Sequence, residues 1–191
     1  LIADTRLSKG YSIHSRQVSK ISQLTDKCVI GSCGMKADAI TLHRILKIRI
    51  TMYKHEHGKE PNVTAIAQML STMLYGKRFF PYYTFNILAG VDDDGKGACY
   101  HYDAIGSFER VDYTTSGSGS ALAHPVLDAI IAQENSIKKR QGELTKNEIV
   151  DLCRDAISST GERDIYTGDA ADIFVITADG VTKTDFQLKK D

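Results

Sequence analysis

Helical periodicity occurs in this chain in back-to-back pairs, and the stretches between the pairs read as short strands joined by tight turns. That order limits the chain to a small set of folds. The first pair follows Gly34. Ala39, Leu42, Ile45, Leu46, Met52 and Tyr53 give a helix running to about His55 an apolar side, with Lys36, His43, Lys47 and Lys54 facing polar surroundings. Residues 58–62 break it, and Asn62 is placed to cap a second helix. The stripe of that helix, Val63, Ile66, Ala67, Leu70, Met73 and Leu74, has the spacing of one buried helical face. The second pair begins with Leu122, Val126, Leu127, Ile130 and Ile131, with Pro125 expected in the first turn, where a missing N–H is tolerated. Thr145-Lys146-Asn147-Glu148 is a capping box opening the last helix, whose stripe is Ile149, Leu152, Cys153 and Ala156.

The remaining segments are strand-like. They cover about the first thirty positions, with 29–33 a buried strand ending at Gly34, then 83–91, 98–102, 108–113, 173–177 and 181–188. Asp92-Asp93-Asp94-Gly95 and Ala178-Asp179-Gly180 are turns. The first turn is not a calcium loop, because His101 stands six beyond Gly95 where that loop needs Glu. Tight turns between strands predict antiparallel sheets. Helices in pairs, not one per strand, disfavour a doubly wound parallel sheet and favour sheets with helical layers outside them. Residues 1–191 read as one domain without linker or repeat. Leu1-Ile2-Ala3 reads as a strand already under way, so residues are expected upstream of Leu1.

Charge excludes several functions. Twenty-four Lys and Arg balance twenty-four Asp and Glu, which argues against a nucleic-acid platform or an anionic membrane surface as partner. No apolar run approaches the roughly 20 residues that cross a bilayer. Cys28, Cys33, Cys99 and Cys153 are scattered and suit free thiols in a reducing compartment. His55-Glu56-His57 sits at a charged helix end and reads as a solvated terminus, so neither a metal nor a cofactor is expected. Ser116-Gly117-Ser118-Gly119-Ser120 precedes a helix but lacks the Lys of a P-loop and the spacing of a serine-hydrolase elbow. Ser136-Ile137-Lys138-Lys139 matches SxxK only formally, in a polar segment.

Asp4-Thr5-Arg6 and Lys20 bear more closely on function. A lysine near an aspartate in strand context is either a paired core charge or a device that lowers a nucleophile's pKa. Ala3-Asp4-Thr5-Arg6 followed by Lys20 resembles the second-strand aspartate and the lysine of proteasome β subunits. Gly117-Ser118-Gly119 is similar to the serine loop of that family. Glu162-Arg163-Asp164-Ile165-Tyr166-Thr167-Gly168-Asp169 is similar to its Arg-Asp-x-x-Ser-Gly segment, with Thr167 where serine is usual. The segments 74–83, 95–97, 106–110 and 188–191 extend the likeness over the whole chain and narrow it to a ring position outside the three active types.

The resemblance implies the N-terminal-nucleophile hydrolase fold, an α/β structure of α+β type. That is a four-layer αββα sandwich of two antiparallel sheets between helix pairs, its first strand lying ahead of Leu1. Active members attack with an N-terminal threonine whose own α-amine is the base. Here Thr5 is internal, so Asp4, Arg6, Lys20, Ser118, Asp164 and Thr167 are expected to be a retained framework without catalysis. The implied partners are neighbouring β subunits of the same ring, β subunits of the opposite ring, α-ring subunits and substrate polypeptides in the chamber. Cytoplasm and nucleus are the implied compartments. An active threonine endopeptidase is the alternative, and it requires a processed threonine ahead of Leu1.

Overall fold

The computed structural model describes residues 1–137 and 139–190. Lys138, within the SxxK match, and the terminal Asp191 lie outside the described residues. Among the described residues, ten strands and four α-helices form two compact units, one comprising Leu1, 20–117 and 174–183 and the other 2–19, 118–137, 139–173 and 184–190.

The first unit is built on an antiparallel sheet of five strands in the order β4 (Ile21–Thr25), β5 (Cys28–Gly34), β6 (Thr84–Val91), β7 (Gly97–Tyr102) and β8 (Phe108–Val111). The first five residues of β5 are buried, as its apolar run predicts. Two helices, α1 (Lys36–His57) and α2 (Val63–Tyr75), pack on this sheet and on each other. Leu42, Leu46 and Ile50 of α1 meet the buried stripe of α2 over Ile30, Leu88, Tyr100 and Tyr102. Asn62 caps α2 by accepting a hydrogen bond from the Ala65 N–H at 2.9 Å, and all six stripe residues of α2 are buried.

In the second unit, β1 (Ile2–Asp4) pairs antiparallel with the start of β9 (Ala170–Thr177), setting Asp4 opposite Ala171. The hairpin β2 (Leu7–Lys9) and β3 (Ser12–Ser15) carries a register shift at Leu7/Ser8. Two further helices, α3 (Ser120–Leu127) and α4 (Lys146–Gly161), pack together, and α4 also lies on β1. Strand β10 (Gly180–Gln187) completes the sheet order β1-β9-β10, and β9 and β10 each contribute residues to both units. Antiparallel sheets accompanied by helix pairs give the α+β class expected.

Several side chains depart from the expected faces. His43 is buried, not polar-facing, because both ring nitrogens find hydrogen-bond partners. Met52 is exposed, since at about 100° per residue it points some 200° away from the buried Ile50. Pro125 is the sixth residue of α3 and thus lies in its interior, and the chain then widens into a π-helical turn, Asp128–Ala132. Of the stripes given to the second helix pair, Leu122, Ile130 and Ile149 are exposed while Leu127, Leu152 and Ala156 are buried. Strand β9 starts three residues before the expected Ile173, because the pairing with β1 recruits Ala171 and Asp172 and the Thr5 N–H holds the Ala170 carbonyl.

Candidate functional site

Pairing with β9 ends β1 at Asp4, whose buried carboxylate turns back on the main chain. Its Oδ2 accepts the Arg6 N–H at 3.1 Å and the Gly168 N–H at 3.5 Å. The next residue, Thr5, is locked in the same frame. Its backbone N–H donates to the Ala170 carbonyl at 2.8 Å, and its hydroxyl donates to the Arg16 carbonyl at the same distance. A threonine whose nitrogen is a backbone amide has no basic amine to lend to its hydroxyl.

Arg6 is 4% exposed and meets Asp169, which is 1% exposed. The Arg6 Nε donates to Asp169 Oδ2 at 2.9 Å, Nη2 to Oδ1 at 3.4 Å, and Nη1 to the Ile165 carbonyl at 2.9 Å. Arg16 adds a second guanidinium on Asp169 Oδ1. Burial alone would raise the Asp169 pKa, but the hydrogen bonds and charges of Arg6 and Arg16 outweigh it and hold the carboxyl below its ordinary value. Asp169 also adopts φ +72°, a left-handed conformation that an aspartate tolerates better than most residues. Gly168 lets the arginine approach, since a Cβ there would stand 2.4 Å from Arg6 Nη2.

The serine loop reaches Asp164. Ser118 Oγ and Thr167 Oγ1 each donate to Asp164 Oδ2 at 2.7 Å, and the Tyr166 N–H donates to Oδ1 at 3.2 Å. A Cβ on Gly119 would lie 2.2 Å from Thr160 Cγ2, so glycine is what allows the loop to close down here. Thr167, the departure from the serine usual in the resembled segment, keeps the hydroxyl on Asp164. Replacing Thr167 by Val is expected to destabilise the chain by about 1 kcal/mol, and Thr167→Ser by much less, as read from urea midpoints. A loss in Thr167→Ser with none in Thr167→Val would show that the methyl group, not the hydroxyl, matters.

The structure therefore brings Asp4 and Arg6 together around 165–169, and Ser118, Asp164 and Thr167 together beside them. Lys20 belongs to the other unit, where its carbonyl accepts the Ser32 N–H at 3.0 Å. Burial and the Lys20 charge lower the pKa of Lys36. The acceptors Asp4, Asp164 and Asp169 hold backbone and side chains in place, and Ser118 and Thr167 share one oxygen of the Asp164 carboxylate. This is an orienting frame. Sequence reasoning missed Arg16 and Asp169 as members of it. The Gly168-Asp169 pair was the available signal, whereas nothing local marked Arg16.

A second buried polar cluster was also missed. Ser32 Oγ donates to Asn86 Oδ1 at 2.6 Å and lies 2.6 Å from His43 Nε2, Asn86 Nδ2 donates to Thr84 Oγ1 at 3.2 Å, and His43 Nδ1 is 3.0 Å from Ser22 Oγ. With the Ser32 proton committed to Asn86, Ser32 must accept from His43 Nε2–H, which leaves Nδ1 to accept from Ser22. Burial, then the charges of Lys36 and Lys47, lowers the His43 pKa to about 4, so the ring is neutral.

The family model described as "Proteasome subunit" matches residues 1–176, and the chain belongs to that family. Proteasome subunit beta type-1 of Dictyostelium discoideum is 49% identical over 193 residues, covering 100% of this chain and 82% of that protein. Proteasome subunit beta type-1 of Arabidopsis thaliana is 46% identical over 195 residues, covering 100% and 87%. Proteasome subunit beta type-6 of Saccharomyces cerevisiae is 37% identical over 200 residues, covering 100% and 83%.

Proposed function

We propose that this chain is a structural, non-catalytic β subunit of the proteasome core particle, of the beta type-1 kind that its relatives are named for. It builds the β ring and walls the degradation chamber. Its neighbours are β subunits of its own ring, β subunits of the opposite ring and α-ring subunits, and substrate polypeptides pass its inner surface. Cytosol and nucleus are the proposed compartments, and four free cysteines support a reducing environment.

One observation carries the non-catalytic part of this reading. The threonine that follows Asp4, Thr5, spends its nitrogen and its hydroxyl on the carbonyls of Ala170 and Arg16. The frame itself is directed at the chain's own backbone and side chains.

The test is an affinity-tagged full-length chain recovered from cells and weighed by native mass spectrometry. Recovery inside a hetero-oligomeric particle is expected. Lys20→Ala and Asp164→Asn are expected to leave peptidase rates per assembled particle unchanged. A free monomer or homo-oligomer would overturn the assembly role. Selective loss of one peptidase activity in fully assembled particles would favour the active-endopeptidase reading.

A further inference from the structure

One face of α1 carries a hollow of about 560 Å³ whose lining includes five basic or titratable nitrogen side chains and no carboxylate. Lys36, Arg44 and Lys47 recur at helical spacing along it, with Ile40, Ile48 and Met52 between them. The three apolar side chains are 56%, 52% and 63% exposed. The side chains of Arg44 and Lys47 make no hydrogen bond or ion pair among the described residues. The field of these cations is felt locally, since Lys36 and Lys47 both push the His43 pKa down.

An apolar strip that carries the Arg44 and Lys47 charges is poorly suited to contact a neutral surface. Covering it would strip water from Arg44 and Lys47 without replacement, which costs several times what the apolar contact returns. A surface bringing carboxylates would neutralise the cations and bury the three apolar side chains together. Charge complementarity of this kind also rejects wrong neighbours, which suits a ring of related but distinct subunits.

We propose that this face of α1 is a subunit contact that receives an acidic segment of a neighbouring subunit, with Asp or Glu side chains interleaved among apolar ones. The inference rests on the assembly role proposed above. The occupant's carboxylates pair with Arg44 and Lys47, and its apolar side chains lie over Ile40, Ile48 and Met52.

The test places the photo-crosslinking residue p-benzoylphenylalanine at Ile48 in the tagged full-length chain. Assembled particles are purified, irradiated and digested, and the joined peptides are read by mass spectrometry. The expected product joins this chain to an Asp- or Glu-bearing peptide of another subunit. In competition with the unaltered chain, Arg44→Glu with Lys47→Glu is expected to lower incorporation at least about tenfold, and Arg44→Gln with Lys47→Gln far less. Irradiated particles that contain the chain but give no crosslink would overturn the inference and leave the assembly role standing. So would a crosslink to an acid-poor peptide or to a second copy of this chain. Absence of the chain from any particle would overturn both.

Discussion

Replacing Asp169 by Asn is expected to destabilise the chain by about 3–5 kcal/mol, the largest loss of any single change in the frame. The carboxylate is the counter-charge of Arg6, whose side chain is 3% exposed, and it also holds Arg16. Removing it takes from the buried Arg6 guanidinium the carboxylate that receives its Nε and Nη2. The amide that takes its place can accept one of those hydrogen bonds but carries no charge. The loss has a pH signature. Because Asp169 is held below its ordinary pKa in the folded state, its contribution is present above the unfolded value and disappears as pH falls through the folded one. Urea denaturation of the full-length chain should therefore show the wild type converging on the variant in acid. A difference under 1 kcal/mol near neutral pH would mean that the pair does not hold the 165–169 segment.

His43 is the second large expectation, with its effect in a different pH window. The folded ring has a pKa of about 4 against an ordinary 6.5. The unfolded chain takes up a proton as pH drops below about 6.5, and the folded chain resists until about 4. At 1.36 kcal/mol per pKa unit, the wild type should lose about 3 kcal/mol across that range from this residue alone. His43→Asn retains a polar side chain but cannot titrate, and its stability should be flat through the window once other groups are subtracted. A wild-type slope equal to that of the variant would show that His43 protonates freely, and that the Ser22–His43–Ser32 chain does not fix its neutral form.

The contrast between α1 and α2 shows what was legible in the sequence. The buried face of α2 is wholly apolar, so spacing alone identified all six of its buried residues. The buried face of α1 includes His43, which a polarity pattern assigns to solvent, because the pattern cannot see Ser22, Ser32 and Asn86 arriving from strands to satisfy it. The second helix pair was misread for a related reason. Leu122, Ile130 and Ile149 have helical spacing yet lie on exposed surface, and spacing does not say which apolar face a neighbour covers.

The site divides in the same way. Asp4, Ser118, Asp164 and Thr167 were reached through the resemblance of their local segments. The Arg6–Asp169 pair spans 163 positions and the Arg16–Asp169 pair 153, distances at which no local pattern operates. The left-handed backbone of Asp169 is equally silent in sequence, since aspartate occurs in many other conformations.

The most direct measurement of the central claim is covalent labelling of the purified particle with a threonine-directed probe, followed by intact mass and N-terminal sequencing of this chain. The expected result is label on other β subunits and none here, with a residue other than threonine at this chain's processed N-terminus. A free N-terminal threonine on this chain carrying the probe would contradict it, and would make Asp4, Lys20, Ser118 and Asp164 the supporting shell of a working protease.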